Sequence, residues 1–365
     1  MQRSLLLAAL LFACSAPAAE GSTPPVQAPQ PAPELGRGAA TLSAVLGPEH
    51  RLATPRALAF NPLRPDELWV LNAKDNSVVL LFGTGSDHEQ FERRRDFAAD
   101  HFLTKPSSIA FGADATSFGA VGTFGTCGES RNEGGIEGAK DFMGPVLWTS
   151  DLDIFAKKNP SGLGSHIDML HASPLCMGIA HEHDNVYWAT NGLTNSIIRY
   201  DFGVDHNVGQ DNHSDGGSLE YARGQLKYVA GVPSNLVFHD GMLYIADTGN
   251  GRIAKLDTKS GTRGAKLVVP EPQRAGSFVM NGAVLTDVVP PGVLTAPSGL
   301  AIHNNIIYAS DNATGRIVAF DLAGKQLNAL DTGAGPGALA GITFGPDNKI
   351  YLVDMLKNAV LRIDP

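Results

Sequence analysis

The chain has 365 residues, with 28 Lys and Arg against 37 Asp and Glu, a net charge of −9. That acidity excludes a general nucleic-acid binder, which needs a basic stripe, and an apolar fraction of 43% excludes a disordered chain. Three Cys cannot frame a disulfide scaffold, and 41 Gly with only 18% charged residues favour an all-β chain rich in tight turns.

Met1-Gln2-Arg3 carries one positive charge, and Leu5 to Ala13 is an apolar run of signal-peptide length, too short to span a bilayer. Leu11-Phe12-Ala13-Cys14 resembles the bacterial lipobox, which implies acylation of Cys14; Phe12 departs from the small or β-branched residue usual there. Ala16-Pro17-Ala18 offers the other outcome, cleavage at an A-x-A site. Residues 1–18 therefore read as an export signal. It leads to the bacterial cell envelope as a lipoprotein, or to the periplasm or the medium. Residues 19–39 read as a Pro-rich linker that holds a domain off a surface. No second long apolar stretch follows, so the membrane is met only through the anchor. Cys127 and Cys176 remain as an even pair, either a disulfide or two buried thiols.

Residues 40–365 are repetitive. Five segments (56–82, 177–202, 234–257, 298–321 and 341–364) share a strand, a turn, a strand ending in Asp or Asn, a turn, and a third strand. The registers are strict. An offset of 64 relates Tyr244 to Tyr308, Asp247 to Asp311 and Ile253 to Ile317. An offset of 56 relates Trp188 to Tyr244 and Asn191 to Asp247, and 43 relates Tyr308 to Tyr351 and Asp311 to Asp354. Asn72 and Trp69 align with Asn191 and Trp188 at 119. The segment from Pro297 to Asp321, with Asp247-Thr248-Gly249-Asn250-Gly251-Arg252-Ile253, resembles the NHL repeat. That resemblance implies a β-propeller whose units are four-stranded blades, with the second-strand aromatic packing between blades.

A sixth unit begins at Pro106-Ser107-Ser108-Ile109-Ala110-Phe111. Ser117–Gly122 is expected as its second strand, followed by a Gly-rich insertion at 125–143; a rival parse takes 146–151 instead. The last unit ends at its third strand, so Thr41–Leu46 is expected to close a six-bladed ring as the missing fourth.

Propeller topology turns position into location. The face where first strands begin, here called the top, receives Arg56, Asn72, Asn191, Asn235, Asp247, Asp311 and Asp354, the candidate ligand-binding residues. The Asp and Asn of this set also suit plain turn stabilisation, since such side chains bond turn N–H groups. The blade-two insertion brings Glu129 and Arg131 to the same face, and the 171–176 loop brings His171. Glu129, Arg131, His171 and Asp247 are the candidates for catalysis. Cys127 and Cys176 would then be neighbours.

The opposite face of the third unit is rich in His. Six of the chain's 11 His fall between His171 and His239. Asp211-x-His213-x-Asp215-Gly216 resembles a calcium-binding DxDxDG loop, although His213 replaces an oxygen ligand and Ala222 stands where a bidentate Glu belongs. His183, His206 and His213 would suit zinc instead, so His183, His206, Asp211, His213 and Asp215 are the candidate ligands of a divalent cation. A solvated polar loop accounts for the same residues without an ion.

The overall shape is similar to that of two enzyme groups. Amidating lyases of this type carry zinc-binding His after the Pro that opens a blade, where this chain has Ser107, Ser234 and Ser298. Gluconolactonases hold a central cation with Glu, Asn and Asp, and Glu129, Asn191, Asp247 and Asp311 offer similar chemistry. Neither a nucleophile elbow nor a Walker A or Rossmann fingerprint occurs. The sequence thus supports an exported, lipid-anchored, monomeric propeller that binds a ligand or protein partner through its top loops. The alternative is a metal-dependent hydrolase or lyase with its site at the top of the channel.

Overall fold

The computed structural model describes residues 32–36, 40–131, 141–210 and 212–365. The export signal with Cys14, most of the linker, and Asp211 lie outside them. The described chain forms six antiparallel blades around a channel. Blade one is Pro55–Asn61, Arg64–Asn72, Ser77–Phe82 and Gln90–Arg94. Blade two is Pro106–Phe111, Thr123–Gly128, Val146–Thr149 and His166–Met169. Blade three is Ile179–His183, Val186–Asn191, Ser196–Asp201 and Gly217–Tyr221, and blade four is Leu236–His239, Met242–Asp247, Arg252–Asp257 and Leu285–Val289. Blade five is Pro297–His303, Ile306–Asp311, Arg316–Asp321 and Gln326–Asp331. Blade six takes Leu339–Phe344, Ile350–Asp354 and Ala359–Asp364 from the C-terminus and Thr41–Leu46 from the N-terminus, with Thr41 opposite Asp364. The closing strand is the one expected.

Alternation explains why the strands read as nearly continuous apolar runs. Successive side chains point to opposite faces, and both faces of a blade are covered by neighbours. In blade one, Leu68 and Val70 enter the core shared with blade six, while Trp69 and Leu71 enter the core shared with blade two. Among the described residues there is one such core for each adjacent pair of blades. Trp69 shows the packing. Its ring meets Phe111, Phe124 and Phe155 at centroid distances of 4.9 to 5.7 Å, and its indole N–H donates to Glu67 Oε2 at 2.9 Å.

Blade two departs from the expected parse. Ser117–Gly122 is part of a long turn, and 146–149 is the third strand; the second strand is Thr123–Gly128. Its glycines are a packing requirement. A Cβ on Gly125 would lie 2.9 Å from both Tyr187 and Ile179, and one on Gly112 would lie 1.8 Å from the Tyr187 hydroxyl. The buried Tyr187 of blade three therefore needs the bare backbone of blade two. The turn is fixed instead by blade three, whose Asp205 carboxylate accepts the Ser117 N–H at 2.9 Å.

Two further features lie outside the repeat. After its third strand, blade four sends out a hairpin, Thr262–Lys266 and Gly276–Asn281. The hairpin joins blade three, Gly276–Asn281 running parallel to Gly217–Tyr221, so that sheet has six strands. Residues 32–36, counted with the linker on sequence grounds, pack on the ring. Ala32 and Leu35 are buried between blades five and six, and the Tyr308 hydroxyl donates to Glu34. No helix among the described residues is long and apolar enough to cross a membrane.

Candidate ligand-binding site

Arg56 is the second residue of the first strand of blade one, and Glu129 directly follows the second strand of blade two. Both therefore stand on the top face. A disulfide between Cys127 and Cys176, with Cα atoms 5.7 Å apart, ties the end of that strand to the start of blade three. The Ser107 hydroxyl reinforces it, lying 2.6 Å from the Cys176 carbonyl and 3.1 Å from that of Cys127. Glu129 is fixed by its two oxygens. Oε2 meets Arg56 Nη2 at 2.7 Å, while Oε1 accepts the Tyr228 hydroxyl and the Gly231 N–H, the latter at 2.8 Å. Burial opposes ionisation of Glu129, but Tyr228, Arg56 and Gly231 outweigh it and hold the carboxyl below its usual range. Burial and the adjacent Glu129 push the Tyr228 phenol up.

Arg56 is only 8% exposed, yet its Nε and Nη1 groups have no hydrogen-bond partner. It borders a cavity of about 460 Å³ whose lining includes Thr54, Lys74, Asn76 and Lys105. Lys74 and Lys105 are exposed. The cavity rim is built from left-handed backbone at three non-glycine residues, Thr54 (φ 50°), Asn76 (φ 53°) and Lys105 (φ 43°). A β-branched residue at such a φ is strained. The strain is held by side chains: Asn358 Oδ1 accepts the Thr54 N–H at 2.6 Å, and Asn76 Oδ1 accepts the Lys105 N–H at 2.8 Å. Three cationic side chains around an open cavity can bind an anion, and a guanidinium with two unused N–H groups can bind one directionally.

The other top-face candidates have a different placement. Asn72, Asn191, Asp247, Asp311 and Asp354 are all buried, and each engages a loop. Asn72 Oδ1 accepts the Ala53 N–H, Asn191 Oδ1 those of Leu193 and Thr194, and Asp247 Oδ1 that of Lys227. Asp311 accepts the N–H groups of Thr295, Ala296 and Ala313, and Asp354 those of Leu356 and Lys357. Asn235 instead leaves its Oδ1 buried without a partner. Arg131 is exposed and pairs with Asp141, apart from Glu129.

His171 lies at the outer rim. Its N–H and its Nδ1 contact the two oxygens of Glu271 at 3.0 and 2.8 Å, while its buried Nε2 has no partner. Its ring packs on Phe142 at 3.7 Å. With His101, Phe102, Met169 and His213 these rings line a second cavity, of about 520 Å³. Burial raises Glu271, but the His171 contacts dominate and its carboxyl sits below the usual range. Sequence reading missed Glu271 because it belongs to the blade-four hairpin, which no repeat register predicts.

Of the candidate cation ligands, His206, His213 and Asp215 come together around Asp168 of the outermost strand of blade two. His183 does not join them. It sits on the exposed turn between the first two strands of blade three, beside Asp184 and Glu182, with Glu182 engaged by Arg199. Asp168 was not recognised in the sequence; the available signal was a carboxylate inside the short strand His166–Met169. Burial pushes its carboxyl up to about 6, against the lowering effect of His213 and His206.

No family model and no curated protein matches this chain. Solved structures match in fold. An auxiliary nutrient binding protein from Bacteroides thetaiotaomicron is 12% identical over 89% of this chain and 76% of its own, with a TM-score of 0.55. One from Bacteroides ovatus is 13% identical over the same shares, with a TM-score of 0.52. A catalytically inactive virginiamycin B lyase from Staphylococcus aureus, solved with quinupristin, is 13% identical over 89% of this chain and 87% of its own, with a TM-score of 0.52. At these identities the likeness establishes the six-bladed propeller and leaves the activity to the site.

Proposed function

We propose that this is an exported propeller of NHL-repeat type, tethered through Cys14, that binds a small anionic ligand at the top cavity between blades one and two. The observation that carries the reading is Arg56, buried with two partnerless N–H groups beside a cavity bordered by Lys74 and Lys105. Glu129 holds the guanidinium through Nη2, and because Nε and Nη1 are buried without partners, a ligand carboxylate, sulfate or phosphate would reach them through a small shift of the Arg56 side chain toward the cavity. The disulfide suits an oxidising compartment, in keeping with export. Nutrient binding by two fold neighbours is compatible with this reading.

Titration calorimetry with inorganic phosphate, sulfate and citrate tests it. Arg56→Gln should weaken the best of the three by about 10- to 100-fold, the equivalent of a hydrogen bond to a charged group, and added salt should weaken wild-type binding. Unchanged affinity in the variant removes Arg56 from the reading, and absence of binding by any of the three removes the anion.

The enzyme reading has one observation in its favour. His171, with Nδ1 engaged by Glu271 and Nε2 unpartnered at the rim cavity, has the arrangement of an oriented general base. Turnover of model lactones or esters that is lost in His171→Ala and kept in Arg56→Gln would favour it over ligand binding.

A further inference from the structure

Asp168, His206 and Asp215 each use one polar atom to fix their position and leave another free. Asp168 Oδ1 accepts the Met169 N–H at 2.7 Å and meets His213 Nδ1 at 3.1 Å, while Oδ2 is buried without a partner. Asp215 Oδ2 accepts the Val204 N–H at 2.9 Å, while Oδ1 is buried without a partner. The His206 backbone N–H donates to the Ile167 carbonyl at 2.8 Å, which holds its loop against the outer strand of blade two, and the ring's Nε2 is buried without a partner. The three free atoms converge. His206 Nε2 is 3.4 Å from Asp215 Oδ1 and 3.7 Å from Asp168 Oδ2, and all three lie within 4.8 Å of one another.

These separations are long for N–H···O hydrogen bonds, which fall at about 2.7–3.2 Å. They suit the edges of a coordination polyhedron. Bonds of about 2.0–2.1 Å in tetrahedral geometry place neighbouring ligand atoms about 3.3 Å apart. Asp168 is fully buried, and a buried carboxylate oxygen with no donor is costly unless something cationic meets it. We infer that Asp168 Oδ2, His206 Nε2 and Asp215 Oδ1 form a site for a divalent cation of the zinc class, with His213 orienting Asp168 from behind.

The donor set selects the ion. One imidazole and two carboxylates suit zinc. Calcium needs six to eight oxygens, and here each carboxylate has its second oxygen committed, so neither can chelate. His206 and Asp215 are partly exposed, at 16% and 32% of their side chains, so a water can complete the shell. The ion would join the long loop of blade three to the outer strand of blade two.

The test uses the untagged chain, dialysed against a weak chelator and then titrated with Zn²⁺ alone, with bound metal counted by elemental analysis. The expected result is one equivalent. His206→Gln and Asp215→Asn should each weaken Zn²⁺ by more than about 100-fold, and His213→Ala by about 10- to 100-fold, as for residues that orient a ligand. His183→Ala, on the exposed turn, should bind as wild type does. Co²⁺ should give tetrahedral absorption bands that His206→Gln abolishes. Asp168→Asn adds a fourth arm; if it does not fold, the partly exposed His206 and Asp215 variants still decide. A wild-type chain with no stoichiometric Zn²⁺ would leave His206 as an ion pair between two carboxylates and overturn the site. So would one equivalent that survives both His206→Gln and Asp215→Asn.

Discussion

The Ser43 hydroxyl donates to the Asp364 carboxylate at 2.7 Å, across 321 positions of sequence. It joins the first strand of the ring to the last. Lys349 and Arg362 hold the same carboxylate. Burial opposes its ionisation, but Lys349, Arg362 and Ser43 outweigh this and hold Asp364 below its ordinary 3.8. A lowered carboxyl stabilises the fold above its ordinary value and ceases to do so as pH falls toward the folded one. Amide protection of residues 41–46 should therefore decline, relative to blades two to five, as pH is lowered past about 3.8. Asp364→Asn should show reduced protection there already at neutral pH, with little further loss in acid. Identical acid profiles for the two proteins would remove Asp364 from the closure.

The Cys127–Cys176 bridge closes a loop with a sequence separation of 49. By chain entropy such a loop stabilises by about 4 kcal/mol. Urea denaturation of Cys127→Ala/Cys176→Ala should show a loss of about 2–5 kcal/mol, with blades two and three the first to lose exchange protection. A change under 1 kcal/mol would mean that the Ser107 contacts suffice.

Gly112 tests the packing that obscured blade two. Gly112→Ala should cost about 1–3 kcal/mol by overpacking, since its Cβ would meet the Tyr187 hydroxyl. Tyr187→Phe in the same chain should recover part of that loss. A double-mutant cycle should give a coupling of at least about 0.5 kcal/mol. Additive effects would place the strain elsewhere.

Glu129→Gln separates stability from binding. Removing one member of a buried ion pair costs about 3–5 kcal/mol, so Tm should fall. The freed guanidinium of Arg56 should then bind phosphate more tightly than in wild type, and phosphate should raise the variant's Tm by more than it raises the parent's. A weaker phosphate response in Glu129→Gln would show that the carboxylate positions Arg56 rather than competing for it.

The ring was legible because its repeats have one requirement in common. Trp69, Trp188, Tyr244, Tyr308 and Tyr351 recur at fixed registers with a following Asp or Asn, and in the structure each aromatic enters an interblade core while each Asp or Asn clamps a loop. Blade two escaped because its second strand, Thr123–Gly128, lacks that pattern: Phe124 stands in the core shared with blade one, Gly125 is bare where Tyr187 packs, and Gly128 is bare where the Thr104 carbonyl approaches. The sites were less legible. Arg56 could be placed on the top face from topology, but its two partnerless N–H groups depend on where Glu129 and Tyr228 lie. Asp168 and Glu271 come from an outer strand and an inserted hairpin, and no local pattern links them to His206 or His171.

The blade-four hairpin changes what the repeat means for synthesis. Gly217–Tyr221 gains its parallel neighbour only when residues 276–281 have been made, after the first three strands of blade four. Until then the outer edge of blade three is open while the chain grows, and an open strand edge invites pairing with another chain. Blades three and four therefore mature as a pair, and a ribosome stalled between residues 222 and 275 carries a nascent chain in which the strand edge that this hairpin later covers is still open.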